Sequence, residues 1–142
     1  MTEAVVLTAF VERGWQVWIP WAADSPFDLV ASADGTEFVR VQCKSGRERD
    51  GRVLFNSAGT DHGRGRLHYR DRADVLAVWC PTVGEVYVVD VHEAPGYVTS
   101  LRLRPTRNNQ ARGVRFAADH TIDRWIEARA RPRAAGVVAL RW

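Results

Sequence analysis

Residues 26–45 decide the fold of this chain, and they read PFDLVASADGTEFVRVQCKS. Two apolar segments flank a polar turn that contains Asp34-Gly35. Alternating apolar residues on either side of such a turn are typical of paired β-strands. The sequence therefore predicts neighbouring strands over 27–31 and 37–44.

The register of these two strands decides which side chains meet. Alternate side chains of a strand share a face, so Gln42 and Lys44 point the same way. A two-residue loop at Asp34-Gly35 would place Asp28 with Val41, on the other face. Asp28 lies opposite Gln42 only if the loop is odd in length or carries a bulge near the glycine. We predict this second register.

A carboxylate, an amide and an ammonium on one face are sufficient to hold a cation and a water for phosphodiester hydrolysis. Taken alone, Asp28 is better explained as a strand-edge acid that caps a backbone group. Gln42 and Lys44 would equally suit the solvent face of an edge strand, where lysine prevents aggregation. Glu3, on a predicted first helix, and a concentration of arginines downstream favour the catalytic interpretation.

Composition predicts one domain over 1–142, because the chain has 142 residues of which 46% are hydrophobic. Lys44 is the only lysine in a chain that otherwise uses arginine, so a compact, titratable ammonium is indicated there. Cys43 and Cys80 lie in apolar segments and are predicted to be buried thiols. No leader or membrane span is indicated, so a cytoplasmic protein is expected.

Positive charge is concentrated between Lys44 and Arg72, a segment with eight basic and four acidic residues. Its glycines predict a mobile basic loop over 45–72, with a short strand at 53–56. Such a loop would follow phosphates without reading bases, although a solvated surface is the commoner role of an arginine run. A polar loop at 107–112 fits either nucleic-acid contacts or ordinary turn hydrogen bonds.

The tryptophans are expected in the core. This includes Trp21, for which stacking on a base is the less favoured alternative. Periodicity and turn residues predict further elements. We predict helices over 3–13 and 121–131, strands over 15–19, 101–104 and 114–117, and a hairpin of 73–79 with 85–91 about a turn at 81–84.

The order of these motifs resembles the PD-(D/E)XK nuclease superfamily in its Q-X-K variant. The similarity rests on the helix-borne Glu3, on Phe27-Asp28-Leu29-Val30 and on Val41-Gln42-Cys43-Lys44. More narrowly, the chain is similar to the group I intron-associated homing endonucleases and their bacterial relatives. The run LRLRPTRNNQ at 101–110 is the most specific part, because generic nuclease chemistry does not demand it.

The resemblance implies an α/β (α+β) fold with a restriction-endonuclease-like core, in which a mixed central β-sheet is flanked by helices. It also implies cleavage of double-stranded DNA with Mg²⁺ or Mn²⁺. Asp28, the Gln42 amide and the Cys43 carbonyl would hold the ion, Glu3 would act through water or at a second ion, and Lys44 would orient the attacking water. The expected DNA contacts are Arg47, Arg49, Arg64, Arg66, Tyr69, Arg70, Arg107, Asn108 and Gln110.

Two other functions compete with this hypothesis. A nucleic-acid-binding module could keep the fold and the basic loop without catalysis. A structure-specific or RNA-directed nuclease could use the same scaffold. Because one chain supplies one site and a double-strand break needs two, a dimer or tetramer of identical chains is expected. The apolar tail at 137–140 with Trp142 is a possible contact in that assembly.

Overall fold

The computed structural model describes residues 1–61, 65–68, 72–94, 96–105, 107–108 and 112–130, with the backbone alone at 59–61 and 65–68. Its regular elements, in chain order, are α1 (Thr2–Glu12), β1 (Gln16–Trp18), β2 (Leu29–Ser32), β3 (Val39–Ser45), β4 (Arg47–Arg49), β5 (Arg52–Asn56), β6 (Ala58–Asp61), β7 (Gly65–His68), β8 (Val75–Cys80), β9 (Glu85–Asp90), β10 (Val98–Arg102) and α2 (Ile122–Ala130), with short 3₁₀ turns at Val91–Glu93 and Ala117–Asp119.

The central sheet has five strands in the order β1-β2-β3-β8-β9, and only the β3–β8 pair is parallel among the described strands. The start of that pair is fixed by Arg40 and Asp74. The backbone N–H of Arg40 donates to Asp74 Oδ2 at 2.7 Å, and the Arg40 Nη2 donates to Oδ1 at 3.0 Å. Burial acts to raise the pKa of Asp74, but the hydrogen bonds and charge of Arg40 outweigh it and hold that pKa below its usual value.

One face of the central sheet packs against both α-helices of the described chain. Val6 and Phe10 of α1 are fully buried against this face, where Val41 of β3 is also fully buried. Phe10 lies edge-on to Trp125 of α2, with ring centroids 6.1 Å apart, and Trp15 completes the aromatic cluster. Aromatic rings of this size contribute a large share of the apolar surface that a small core buries.

The opposite face of the central sheet is covered by a second sheet of three strands, ordered β10-β5-β4. Val53 and Phe55 of β5 and Leu101 of β10 pack there against Leu76 and Val78 of β8. The predicted mixed α+β sheet is therefore confirmed. Its helices lie on one face, and a second sheet takes the other.

The prediction of a loop over 45–72 was wrong for most of the residues described in that range, although the short strand predicted at 53–56 is confirmed by β5. The first half of the range is a hairpin of β4 and β5, closed by a two-residue turn at Asp50-Gly51 in which both residues have positive φ (51° and 71°). Such a turn matches the twist of the flanking strands. Residues 58–61 and 65–68 form a second antiparallel pair. The predicted strand at 114–117 was also wrong, since it reduces to a single bridge of Phe116 to Arg102.

The hairpin of β8 and β9 is confirmed, with its turn at residues 81–84, and Cys43 and Cys80 are buried thiols as predicted. The tryptophan prediction was wrong in part. Trp15 and Trp125 are buried, but Trp21 is fully exposed in the segment that leads to Asp28. No helix within the described ranges is long and apolar enough to cross a membrane.

Gly46 carries the chain from the central sheet to the second sheet. Its N–H donates to the carbonyl of Trp79 at 2.8 Å. A Cβ at this position would lie 2.9 Å from Cγ1 of both Val53 and Val78, closer than real Cβ contacts allow. The two layers therefore approach each other around a residue without a side chain.

Replacing Gly46 with alanine is expected to lower the free energy of unfolding by about 1–3 kcal/mol, because the new methyl group overpacks the junction of the two sheets. Urea denaturation measures the change. Gly96→Ala is the matched control, since its Cβ would meet only the Val98 carbonyl at 3.6 Å. Equal stability of the two variants would show that the junction is not closely packed.

Candidate active site

The register of β2 and β3 is the one that the site requires. Leu29 pairs with Val41 and Ala31 with Val39, so an odd number of residues lies between the last paired residues. Asp34 holds the loop, since one of its carboxylate oxygens accepts the N–H groups of Thr36 at 2.8 Å and Glu37 at 3.0 Å. These backbone hydrogen bonds lower the pKa of Asp34 to about 2.

Asp28 lies directly before β2 rather than within it, which corrects the predicted start of the strand. Its N–H donates to the carbonyl of Val41 at 2.9 Å, so the pairing with β3 continues through it. Its carboxylate Oδ2 accepts hydrogen bonds from Gln42 Nε2 and from the backbone N–H of Cys43, both at 2.7 Å. The carboxylate is thus fixed in direction by β3, and both hydrogen bonds fall on one of its two oxygens.

The electrostatics around Asp28 disfavour an isolated negative charge. Burial raises the pKa of Asp28, and the negative charge of Glu3 raises it further. The hydrogen bond from the Cys43 N–H and the charge of Lys44 act in the opposite direction without cancelling the rise. A half-buried carboxylate beside a second acid is an arrangement that a bound cation stabilises.

Lys44 and Gln42 share the face of β3 that carries the second sheet. In the parallel pairing with β8, Gln42 lies beside Leu76 and Lys44 beside Val78, and both side chains are half-buried. Cys43 points to the opposite, helical face. Burial raises the pKa of its thiol far above the usual value, which disfavours a thiolate nucleophile there.

Glu3 lies in the first turn of α1 and is exposed, with Oε2 3.6 Å from the amino group of Met1. The start of this helix is tied to the end of β3 by a 2.6 Å hydrogen bond between the hydroxyls of Thr2 and Ser45. Sequence reasoning missed this contact, because nothing local relates two hydroxyls so far apart in the chain. It places the helix start beside the strand that bears Lys44.

The donor set suits a hard divalent cation. Carboxylate, amide and backbone carbonyl oxygens are the ligands that Mg²⁺ and Mn²⁺ take, and Asp28, Gln42 and Cys43 supply one of each. The described residues contain no cluster of three His, Cys, Asp or Glu side chains, so an ion here would depend on the amide and the carbonyl. In this structure the Gln42 amide nitrogen Nε2 points toward Asp28. Rotation of the amide would exchange the positions of its nitrogen and oxygen, so that Oε1 would face an ion bound at Asp28.

Comparison with known proteins identifies the family and the fold of this chain. Residues 1–123 match the family described as PD-(D/E)XK endonuclease. The chain belongs to this family. The fold is similar to that of a bacterial homing endonuclease, I-Ssp6803I, with a TM-score of 0.66 and 18% sequence identity over 89% of this chain and 87% of that one. No curated protein matches.

As a PD-(D/E)XK endonuclease the chain is a nuclease, and the residues expected to contact its substrate lie in several places. Arg47 and Arg49 are exposed on β4, and Arg107 and Asn108 are exposed in a turn. Only the backbone of Arg66 is described, in β7. The remaining predicted contacts, Arg64, Tyr69, Arg70 and Gln110, lie outside the described residues.

Proposed function

We propose that this PD-(D/E)XK endonuclease is a homing-endonuclease-like enzyme that hydrolyses phosphodiester bonds of double-stranded DNA with Mg²⁺ or Mn²⁺. One observation carries the proposal. The Asp28 carboxylate accepts hydrogen bonds from Gln42 Nε2 and from the Cys43 N–H, both at 2.7 Å, and Lys44 is the next residue of β3 on the same face as Gln42. A carboxylate, an amide and an ammonium then face the same side of the sheet.

Asp28, Gln42 and the Cys43 carbonyl would hold the cation, with Glu3 acting through water or at a second ion. When bound, the cation supplies charge that stabilises the phosphate and acidifies a water. Lys44 orients the attacking water and stabilises negative charge on the phosphate oxygens. In-line attack by that water breaks the bond to the 3′ oxygen and leaves a 5′-phosphate and a 3′-hydroxyl.

Arg47 and Arg49 follow Lys44 on the next strand and would position the DNA through its phosphates. This contact is proposed to extend to Arg64, Arg66, Tyr69, Arg70, Arg107, Asn108 and Gln110. A homodimer or homotetramer would bring two sites to the two strands of the duplex.

Glutamine at position 42 is expected to make metal binding weak in the DNA-free protein. One unit of negative charge about 4 Å from a cation contributes roughly 4 kcal/mol per cation charge at an effective dielectric near 20, before desolvation is subtracted. Gln42→Glu is therefore expected to bind Mg²⁺ at least about tenfold more tightly than the wild type in calorimetric titration without DNA. The scissile phosphate would supply the missing charge in the wild-type complex.

The control is Gln16→Glu, which makes the same charge change on the exposed edge strand β1. Its affinity for Mg²⁺ should equal that of the wild type. Tight binding of Mg²⁺ by the wild-type protein alone would contradict the proposed role of Gln42.

Incubation of supercoiled plasmid with the protein in Mg²⁺, in Mn²⁺ and in EDTA tests the function itself. Nicked or linear product is expected with either metal and none with EDTA. Binding without cleavage under all conditions would assign the fold to a nucleic-acid-binding module. Faster cleavage of branched DNA or of RNA than of duplex DNA would instead assign a structure-specific or RNA-directed nuclease.

A further inference from the structure

The outer face of the three-stranded sheet carries a row of arginines that crosses all three strands. Arg49 of β4 pairs with Arg52 of β5, and Arg52 pairs in turn with Arg102 of β10. Directly opposed residues share a face in an antiparallel sheet. Since Val53 and Leu101 point into the core, the neighbouring Arg52 and Arg102 point away from it.

This row brings like charges together without the carboxylates that neutralise some other arginines of the described chain. In the rest of the described structure Arg13 pairs with Asp123, and Arg40 pairs with Asp74. Among the described residues, the only acid that forms an ion pair with an arginine of this row is Asp50, whose Oδ2 lies 4.0 Å from Nε of Arg49 at the end of the row. Like charges directly opposite each other destabilise a sheet, so this arrangement favours an anion from outside the chain.

A cavity of about 200 Å³ marks where such an anion fits. It is lined by Arg52, Ser100, Arg102, Gly113, Val114 and Arg115. Arg115 is held beside β10 because its carbonyl accepts the N–H of Arg102 at 2.8 Å. Three guanidinium groups and a hydroxyl are donors that match phosphate oxygens, and guanidinium binds phosphate in a bidentate manner.

We propose that this arginine face, defined as Arg49, Arg52, Arg102 and Arg115 with Ser100, binds the phosphate backbone of duplex DNA away from the cleaved bond. Neighbouring strands lie about 4.8 Å apart, so the row from β4 to β10 spans about 10 Å. That width suits the path of a nucleic-acid backbone better than a single small anion. The inference extends the proposed function, because it adds an anchoring surface to a DNA-cleaving site.

The connection to the catalytic strand supports this placement. Lys44 is the last residue of β3 on the face that carries the second sheet, and Arg49 follows it on β4 after five residues. An extended segment of this length reaches at most about 17 Å. The arginine face and the candidate active site can therefore contact one duplex, the site at the cleaved bond and the face at phosphates further along.

Salt dependence of binding tests the arginine face without cleavage. The logarithm of the binding constant for duplex DNA falls with the logarithm of salt concentration by about 0.9 for each phosphate contact. In EDTA, each of Arg52→Gln, Arg102→Gln and Arg115→Gln is expected to reduce that slope by about 0.9, and the triple variant by about 2.7. Fluorescence anisotropy with a short duplex of arbitrary sequence gives the slopes.

Arg124→Gln is the control, because it removes one exposed arginine from α2 on the opposite side of the central sheet. Its slope should equal that of the wild type. Thermal melting adds a second readout, since removing Arg52 relieves like-charge repulsion and should raise Tm by about 1–5 °C at low salt. A lowered Tm with an unchanged slope would make these arginines structural and overturn the inference.

The two proposals fail in different ways. If the wild type cuts plasmid but the triple variant keeps the wild-type slope, the arginine face is refuted and the endonuclease stands. If the slope falls as expected but the wild type never cuts DNA, the arginine face stands and the proposed catalytic function is refuted.

Discussion

Lys44→Ala is expected to lower the rate of plasmid nicking by at least about 10²–10³, the usual cost of removing one group that stabilises transition-state charge. The side chain is half-buried on the same face as Gln42, and its charge acts on Asp28. Removing it takes away both a donor to the phosphate and a positive charge that acts on the Asp28 carboxylate. Initial rates on supercoiled DNA at saturating Mg²⁺ measure the effect.

Lys44→Arg separates charge from geometry. Arginine retains the positive charge, but its guanidinium stays protonated at any pH at which the enzyme would work. It is also planar, so it does not replace a compact ammonium. We expect the nicking rate of Lys44→Arg to lie within about tenfold of that of Lys44→Ala, because Lys44 is the only lysine in a chain that otherwise uses arginine. Nicking by Lys44→Ala at the wild-type rate would remove Lys44 from the chemistry.

Asp28→Asn is expected to lower nicking by about 10³ and to leave the fold intact. The loss of one unit charge beside a cation corresponds to roughly 4 kcal/mol at an effective dielectric near 20. Asparagine has the same size, and its oxygen can still accept the N–H of Cys43. The result expected from the structure is therefore an inactive but well-folded protein, measured by nicking assays and circular dichroism.

The stability of Asp28→Asn should move in the direction opposite to its activity. Burial and Glu3 raise the pKa of Asp28, so the folded protein binds this proton more tightly than the unfolded chain. The wild type must then lose stability as the pH rises from the pKa of Asp28 in the unfolded chain, near 4, through its higher pKa in the folded protein. The variant has no ionisable group at position 28 and must lack this loss. Melting in EDTA should give the variant an equal or higher Tm at pH 7.

The matched control is Asp24→Asn, the same change at an exposed acid in the segment before the site. It should keep wild-type activity. A variant at position 28 that is both active and less stable than the wild type would make Asp28 a structural acid.

The catalytic face could be predicted from sequence because it depends on alternation along one strand. Gln42 and Lys44 must share a face once residues 37–44 form a strand, and the site then fixes the register with Asp28. The short loop geometry could not be predicted in this way. Two Asp-Gly pairs occur in the chain, and only Asp50-Gly51 forms a two-residue turn, whereas Asp34 uses its side chain to cap a longer loop.

The second sheet was not predicted because the pairing that completes it, β5 with β10, joins segments far apart in the sequence. Asn56 pairs with Val98, and no local pattern relates the two segments. The same limit applies to Trp21, whose apolar side chain favoured the core although its segment leaves it fully exposed. The arginines at positions 52, 102 and 115 look like scattered surface charge in the sequence, because only the register of β5 with β10 and a backbone hydrogen bond from Arg102 to Arg115 bring them together.

A crystal structure of the complex with duplex DNA and Mn²⁺ tests the central claim most directly, through the anomalous signal of the ion. The account predicts a peak within coordination distance of an Asp28 carboxylate oxygen, with the Gln42 side-chain oxygen and the Cys43 carbonyl as further ligands and Lys44 facing the scissile phosphate. An ion bound elsewhere, or a phosphate out of reach of Lys44 in a complex that cuts DNA in solution, would contradict it.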